Sequence, residues 1–165
     1  MNNKLKIAFT GPECSGKTTL SKWLSMNCNW TLSEEYARQY LSEKKNYVRA
    51  DLDEIAKQQF SMNNHAQIAD TEMLVMDIWS RVKYGIVSQK IDTLLHKQQF
   101  EMYFLCKPDF EWEEDELREN PTNREQLFEY YLERINQLKW PYIVLEGSLE
   151  NRKGAIRAII KEGDL

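Results

Sequence analysis

Gly11-Pro12-Glu13-Cys14-Ser15-Gly16-Lys17-Thr18 places two glycines with four residues between them and follows the second with a lysine and a hydroxyl. Each residue type in that spacing has a definite use around phosphate. Gly11 and Gly16 admit backbone angles and close approaches that a side chain would block. The N–H groups of the loop, including those of Glu13, Cys14, Ser15, Thr18 and Thr19, then converge with the start of the next helix on an anion. Lys17 has the reach for β- and γ-phosphates, and the Thr18 hydroxyl suits Mg²⁺. The segment is a Walker A P-loop lying between an apolar run and an amphipathic one, so the expected ligand is ATP with Mg²⁺.

Phosphoryl transfer also needs carboxylates for the metal and for the attacking hydroxyl. Glu35 and Asp70 each follow a short apolar run, and Asp70-Thr71-Glu72 is a paired-carboxylate element. Either Asp70 or Glu35 could hold Mg²⁺ or accept the hydroxyl's proton; helix capping is the alternative use of both. Arg118 and Arg124 are candidates for the transferring phosphoryl, brought in by a lid-like segment at about 109–124. Arg38 could reach substrate or pair with Glu34 or Glu35. Arg152 could flank the base of ATP or serve only as a helix-start arginine. Trp79 and Trp112 could stack on a flat ring, whereas Trp23, Trp30 and Trp140 read as core residues.

The elements that must position these residues alternate. Short apolar runs at Leu5–Phe9, Asn29–Leu32, Ala66–Ala69, Phe100–Cys106 and Tyr142–Glu146 read as strands. Helical spacing occupies Lys17–Asn27, Tyr36–Lys44, Asp51–Asn64, Met73–Tyr84, Ile86–Lys97, Asn123–Leu138 and Arg152–Lys161. The third helix starts at Asp51 or Ala50, and Gly85 ends the fourth. This alternation predicts a three-layer α/β/α fold with a parallel five-stranded sheet. Ligands of such sheets sit beyond the carboxyl ends of the strands, where the P-loop, Glu35 and Asp70 all fall.

Size and composition limit the rest. The 165 residues suit one domain, and 42% hydrophobic with 12% aromatic residues suits a packed core. A net charge of -4 provides no basic field for nucleic acid or an anionic membrane. No apolar run is long enough to cross a bilayer, and the first residues lack a signal peptide's pattern. Three cysteines and two histidines suit a reducing cytoplasm and no structural zinc. There is no Asn-Lys-x-Asp element for reading guanine, and no hydrophobic-hydrophobic-Asp-Glu run of a large motor.

Several ordered pieces carry a resemblance. Phe9-Thr10-Gly11-Pro12-Glu13 leads into the P-loop, and Glu35-Tyr36-Ala37-Arg38 follows. Asp70-Thr71-Glu72 comes next, with Trp79 and Tyr84-Gly85. Last come Pro108-Asp109 with Trp112 and Asp115, then Arg118-Glu119-Asn120-Pro121 and Arg124. Together they resemble the P-loop kinase domain of NadR-type proteins, the ribosylnicotinamide kinase family, an AAA-type ATPase/kinase-like group, across nearly the whole chain. The resemblance implies a nucleoside/nucleotide kinase-like P-loop NTPase fold. It also implies ATP-dependent phosphorylation of the 5′-hydroxyl of nicotinamide riboside to nicotinamide mononucleotide. By the same likeness Asp70 and Glu35 lie at substrate and Mg²⁺, Asp109 and Trp112 form the nucleoside pocket, and Arg118 and Arg124 belong to the lid. Glu111 and Glu116 stand where family members often have Pro and Gly, and Glu72 where Asp is common, so the departures fall on the substrate-facing side. Another nucleoside or small alcohol as acceptor is the sibling expectation. An ATP-dependent switch without an acceptor is the expectation from a different class.

Overall fold

The computed structural model describes residues 5–44 and 46–160. The expected end of the last helix at Lys161 therefore lies outside the described residues. Among the described residues five parallel strands form one sheet: β1 (Ile7–Thr10), β2 (Leu32–Ser33), β3 (Ile68–Asp70), β4 (Met102–Cys106) and β5 (Tyr142–Leu145), in the order β2-β3-β1-β4-β5. Seven helices among the described residues connect or follow them: α1 (Lys17–Cys28), α2 (Tyr36–Leu41), α3 (Arg49–Asn64), α4 (Met73–Tyr84), α5 (Gln89–Lys97), α6 (Arg124–Leu138) and α7 (Leu149–Ile159).

Alternation along the strands divides the core into two layers. Ile7, Phe9, Ile68, Phe104 and Cys106 face α1 and α7, packing with Leu20, Leu24 and Ile156. Ala8, Ala69, Tyr103 and Leu105 face the opposite way, against α2 to α6. Successive side chains on a strand point to opposite faces, so Asp70 shares the α1 face with Ile68. Thr10 shares the other face with Ala8. The three-layer parallel sheet expected from the alternation is thus present, covered by helices on both sides.

Boundaries differ where the local signals are weak. The second strand is Leu32–Ser33 rather than Asn29–Leu32, because Asn29 is the left-handed cap that ends α1. The third helix starts at Arg49, after Val48. Asp51 caps it from the third position by accepting the Val48 N–H at 2.8 Å. Helices α5 and α7 start after Ser88 and Ser148, whose hydroxyls accept the Ile91 and Asn151 N–H groups. Gly85 terminates α4 in the left-handed conformation (φ 70°), as its position predicts. Among the described residues no helix is long and apolar enough to cross a membrane.

Candidate functional site

The P-loop turns between β1 and α1 with a geometry only glycine permits. Gly11 has φ 130°, and a Cβ there would lie 2.5 Å from the Cys106 carbonyl oxygen of the neighbouring strand. Gly16 has φ 88° and faces the Phe110 ring, 2.9 Å from where its Cβ would be. Lys17 Nζ donates to the carbonyls of Gly11 (2.8 Å) and Pro12 (2.7 Å), which holds the ammonium over its own loop. Ser15 is turned the other way, its hydroxyl donating to Pro12 O at 2.7 Å.

Two carboxylates meet this loop in different ways. The Thr18 hydroxyl donates to Asp70 Oδ2 at 2.6 Å, an outcome of Asp70 sharing the α1 face of β3. Asp70 Oδ1 is buried with no hydrogen-bond partner among the described residues. A buried carboxylate oxygen is rarely left unpaired unless something else binds it. Burial pushes the Asp70 carboxyl above its ordinary range, against the Thr18 bond and the charge of Lys17. No cluster of three or more His, Cys, Asp or Glu ligands gathers among the described residues. A hydroxyl beside one carboxylate with a free oxygen fits Mg²⁺, which is usually held by one or two carboxylates plus phosphate oxygens and water. Thr18 and Asp70 are the residues that would hold it.

Glu35, just beyond β2, lines the same cavity as the P-loop. Its nearest ion-pair partner is Arg38, with Nε 4.0 Å from Oε2. Burial raises its pKa, Lys17 opposes that rise, and the charge of Asp70 adds to it. Glu72 is not at the cavity. It is fully buried as the N-cap of α4, accepting from Leu74 N (2.7 Å), Thr10 Oγ1 (2.7 Å) and Gln98 Nε2 (2.6 Å). Thr71, between the two acids, has φ 87°, a conformation unusual for a β-branched residue and one that stores strain at the cavity wall.

The cavity measures about 310 Å³. Residues 11–19 of the P-loop and the start of α1 line it, Glu13, Lys17, Thr18 and Thr19 among them. Val75, Ile78 and Trp79 of α4 and Leu127 and Tyr131 of α6 line it too. Residues 117–120 complete the lining. The Trp79 indole N–H donates to the Tyr47 hydroxyl at 2.9 Å, and the two rings meet edge to face.

The expected lid and substrate-side residues separate into two groups. Arg118 lines the cavity, and Arg38 does so while paired with Asp115 Oδ2 at 2.8 Å. Arg124 and Trp112 lie outside it. Arg124 donates to Cys14 O at 3.3 Å and stands 5.5 Å from the Trp112 ring. The expectation that Asp109 forms the nucleoside pocket needs correction, because its carboxylate accepts from Gly147 N (2.7 Å) and Arg152 Nη2 (3.0 Å), away from the cavity lining. Arg152 is corrected for a related reason. It is fully buried, so it cannot lie against a nucleotide base. Its guanidinium instead donates to Ser15 O, Gly147 O and Lys107 O and covers the Phe110 ring at 4.4 Å. Glu34 pairs with Lys22 at 3.0 Å on the surface.

Tyr47, Lys83 and Tyr131 carry no role in the sequence analysis, and Glu119 enters there only within the Arg118–Pro121 piece of the resemblance. The signal for Lys83 was present, since Val75, Trp79 and Lys83 are spaced four apart and share one side of α4. Tyr47 and Glu119 are joined only by tertiary contacts, and local spacing carries no trace of them.

Sheet order, P-loop and the Thr18–Asp70 contact define a three-layer α/β/α P-loop NTPase fold. An AAA domain family model matches residues 6–152, and the chain belongs to that family. Among solved structures, NadR protein in complex with NR superposes with a TM-score of 0.76 at 19% identity, covering 94% of this chain and 51% of that one. NadR protein in complex with NAD and AMP-PNP gives 0.72 at 18% identity, with 94% and 49% covered. The chain thus spans about half the length of these NadR chains. Deoxyadenosine kinase from M. mycoides with bound dATP gives 0.67 at 18% identity, covering 94% of this chain and 98% of that one. The resemblance to the NadR kinase domain read from the sequence is borne out at the level of fold.

Proposed function

We propose that the protein is an ATP-dependent phosphotransferase acting on the hydroxyl of a nucleoside-like small molecule, with nicotinamide riboside as the favoured acceptor. One observation carries this reading. A single cavity joins the P-loop to a chamber walled by apolar and aromatic side chains, with the Glu35 carboxylate lining it too. A phosphate grip opening onto a chamber for a flat ring is what transfer from a triphosphate to a nucleoside requires.

In this reading Lys17 leaves the loop carbonyls to grip β- and γ-phosphates, and the loop N–H groups hold the rest of the chain of phosphates. Mg²⁺ held by Thr18 and Asp70 would neutralise charge on the phosphates being separated. Glu35 takes the proton of the attacking hydroxyl, a role favoured by its raised pKa and its loose pairing with Arg38. Asp70 is the weaker candidate for that base, because in this reading it is committed to Thr18 through Oδ2 and to Mg²⁺. Arg118 reaches the transferring phosphoryl from the cover of the cavity. Arg124, on Cys14 O, steadies the loop. Trp79 and Tyr131 flank the acceptor's ring.

The likeness of the fold to NadR supports nicotinamide riboside, and the likeness to deoxyadenosine kinase supports keeping purine nucleosides in view. An ATP-consumption assay with nicotinamide riboside, deoxyadenosine and other nucleosides, each beside an acceptor-free control, tests the proposal. Acceleration by nicotinamide riboside alone supports both mechanism and acceptor. Acceleration by another nucleoside replaces the acceptor. Steady hydrolysis indifferent to every acceptor refutes the kinase.

A further inference from the structure

A carboxylate in a phosphate cradle repels the anion the cradle is built to hold. Glu13 is such a carboxylate, third residue of the P-loop and part of the cavity lining. Its oxygens are engaged by a distant segment. Oε1 accepts the backbone N–H of Glu119 at 2.9 Å, and Oε2 accepts the N–H of Asn120 at 2.9 Å and its side-chain amide at 3.3 Å. Two successive amides of a segment more than a hundred residues away are thus captured by one P-loop side chain.

The captured segment is fastened to the acceptor side as well. The Glu119 carboxylate accepts from Lys83 Nζ (2.6 Å) on α4 and from the Tyr47 hydroxyl (2.8 Å). Asp115 pairs with Arg38 on α2 while accepting the Leu117 N–H at 3.0 Å, and the Arg118 N–H goes to Asp115 O. Residues 115–120 therefore form a strap pinned to three walls. Two pins hold it to the acceptor chamber, and the third is Glu13, on the nucleotide side. Arg118 lies between the pins.

Resting on the kinase reading above, we infer that Glu13 is a positioning residue that couples the two substrate sites. It fixes the strap from within the phosphate cradle, so that a nucleotide seated in the P-loop steadies the cover of the acceptor chamber. The negative charge is accommodated because it is spent on N–H donors rather than turned toward phosphate. Charge-assisted bonds to two consecutive amides also give a directional hold that a neutral side chain lacks.

The test uses the whole chain with Mg²⁺ and AMP-PNP, and compares Glu13→Ala and Glu13→Gln with the wild type. Hydrogen exchange read by mass spectrometry over residues 113–121 is the first measurement. In the wild type, nucleotide should slow exchange of this segment. In Glu13→Ala the segment should exchange at least tenfold faster, nucleotide should no longer slow it, and α1 should stay as protected as before. Glu13→Gln keeps one acceptor oxygen and should fall between the two. The second measurement is kinetic, on whichever acceptor the nucleoside panel identifies. Glu13→Ala should raise the acceptor KM about tenfold or more and increase acceptor-free ATP hydrolysis, with AMP-PNP affinity changed by no more than about threefold. Unchanged strap exchange in Glu13→Ala overturns the inference. So does a loss of AMP-PNP affinity accompanied by faster exchange of α1, which would make Glu13 a residue that only shapes the loop. The exchange experiment needs no acceptor, so it decides the inference even if the kinase reading fails.

Discussion

Replacing Asp70 by Asn separates what the site needs without ligand from what it needs with one. In the free protein, the Asp70 carboxyl is buried with one oxygen bonded to Thr18 and the other unpaired. Its raised pKa means that the surroundings as a whole disfavour the charge. An unsatisfied buried group costs about 1–3 kcal/mol, and a charged one costs more. The amide variant keeps an oxygen for Thr18 and leaves a neutral orphan in place of a charged one, so it should stabilise the free protein by about 1 kcal/mol. For a chain of this size that corresponds to a midpoint about 2–4 °C higher. The pH dependence has a defined sign. A carboxyl with a raised folded-state pKa favours folding below its unfolded value, and that advantage is lost as pH rises through the folded one. The stabilising effect of the variant should therefore be full above the folded-state pKa and shrink as pH falls through it and the wild type's own Asp70 becomes protonated. With ligand the order reverses. Ligand at about one hundred times its dissociation constant adds about 2.7 kcal/mol, and the part of that gain that depends on Mg²⁺ should vanish in Asp70→Asn. Scanning calorimetry with AMP-PNP, in Mg²⁺ and again in EDTA, measures all of these quantities. A variant less stable than the wild type without ligand would refute the orphaned-oxygen argument. An undiminished Mg²⁺-dependent gain would remove Asp70 from the metal.

Three further outcomes follow from the same geometry. Glu35→Gln should lower kcat by about 10²–10⁴ with little change in nucleotide affinity. The wild type's acid limb in kcat/KM should lie above the usual glutamate range, because burial raises that carboxyl; a profile flat through that range would argue against Glu35 as base. Arg152→Met should destabilise by about 3–5 kcal/mol, since it strands the carbonyls of Ser15, Lys107 and Gly147 around a buried site. Chemical denaturation checks that figure, and a loss under 1 kcal/mol would show that water replaces the guanidinium. Glu72→Ala should cost about 2–4 kcal/mol by removing a cap and leaving Thr10 and Gln98 without their acceptor, whereas Glu72→Gln should cost about 1 kcal/mol or less. Equal losses in both variants would mean that the charge, rather than the bonds, matters there.

The sequence was most legible where a local rule acts alone. Met73–Tyr84 was bounded correctly because apolar spacing runs up to a glycine that ends it. The P-loop needed only its own eight residues. Strand β2 was misplaced because two residues carry no alternation to read. Apolar spacing alone misplaces the starts of α5 and α7, because the serine caps Ser88 and Ser148, not the apolar periodicity, set them. Side chains around the cavity were legible in proportion to their closeness to a motif. Glu35 and Asp70 follow strands and could be found by that rule. Arg152 could not, because the same residue type serves a ligand when exposed and a scaffold when buried, and burial depends on β4, β5 and the P-loop arriving together. Asp109 was assigned through resemblance, and its true partner lies 43 positions away on α7.

The contact between Gly11 and the Cys106 carbonyl has a consequence for what variation can reach. Steric conflicts between side chains are commonly relieved by trimming the partner, so a damaging change at one position can be rescued at another. Here the obstructing atom belongs to the main chain of β4, and every amino acid at position 106 presents the same oxygen. A search for second-site revertants of Gly11→Ala should therefore return only true reversion, or changes that shift β4 bodily against β1. The residue is held in place by the sheet's own spacing as much as by the anion beyond it.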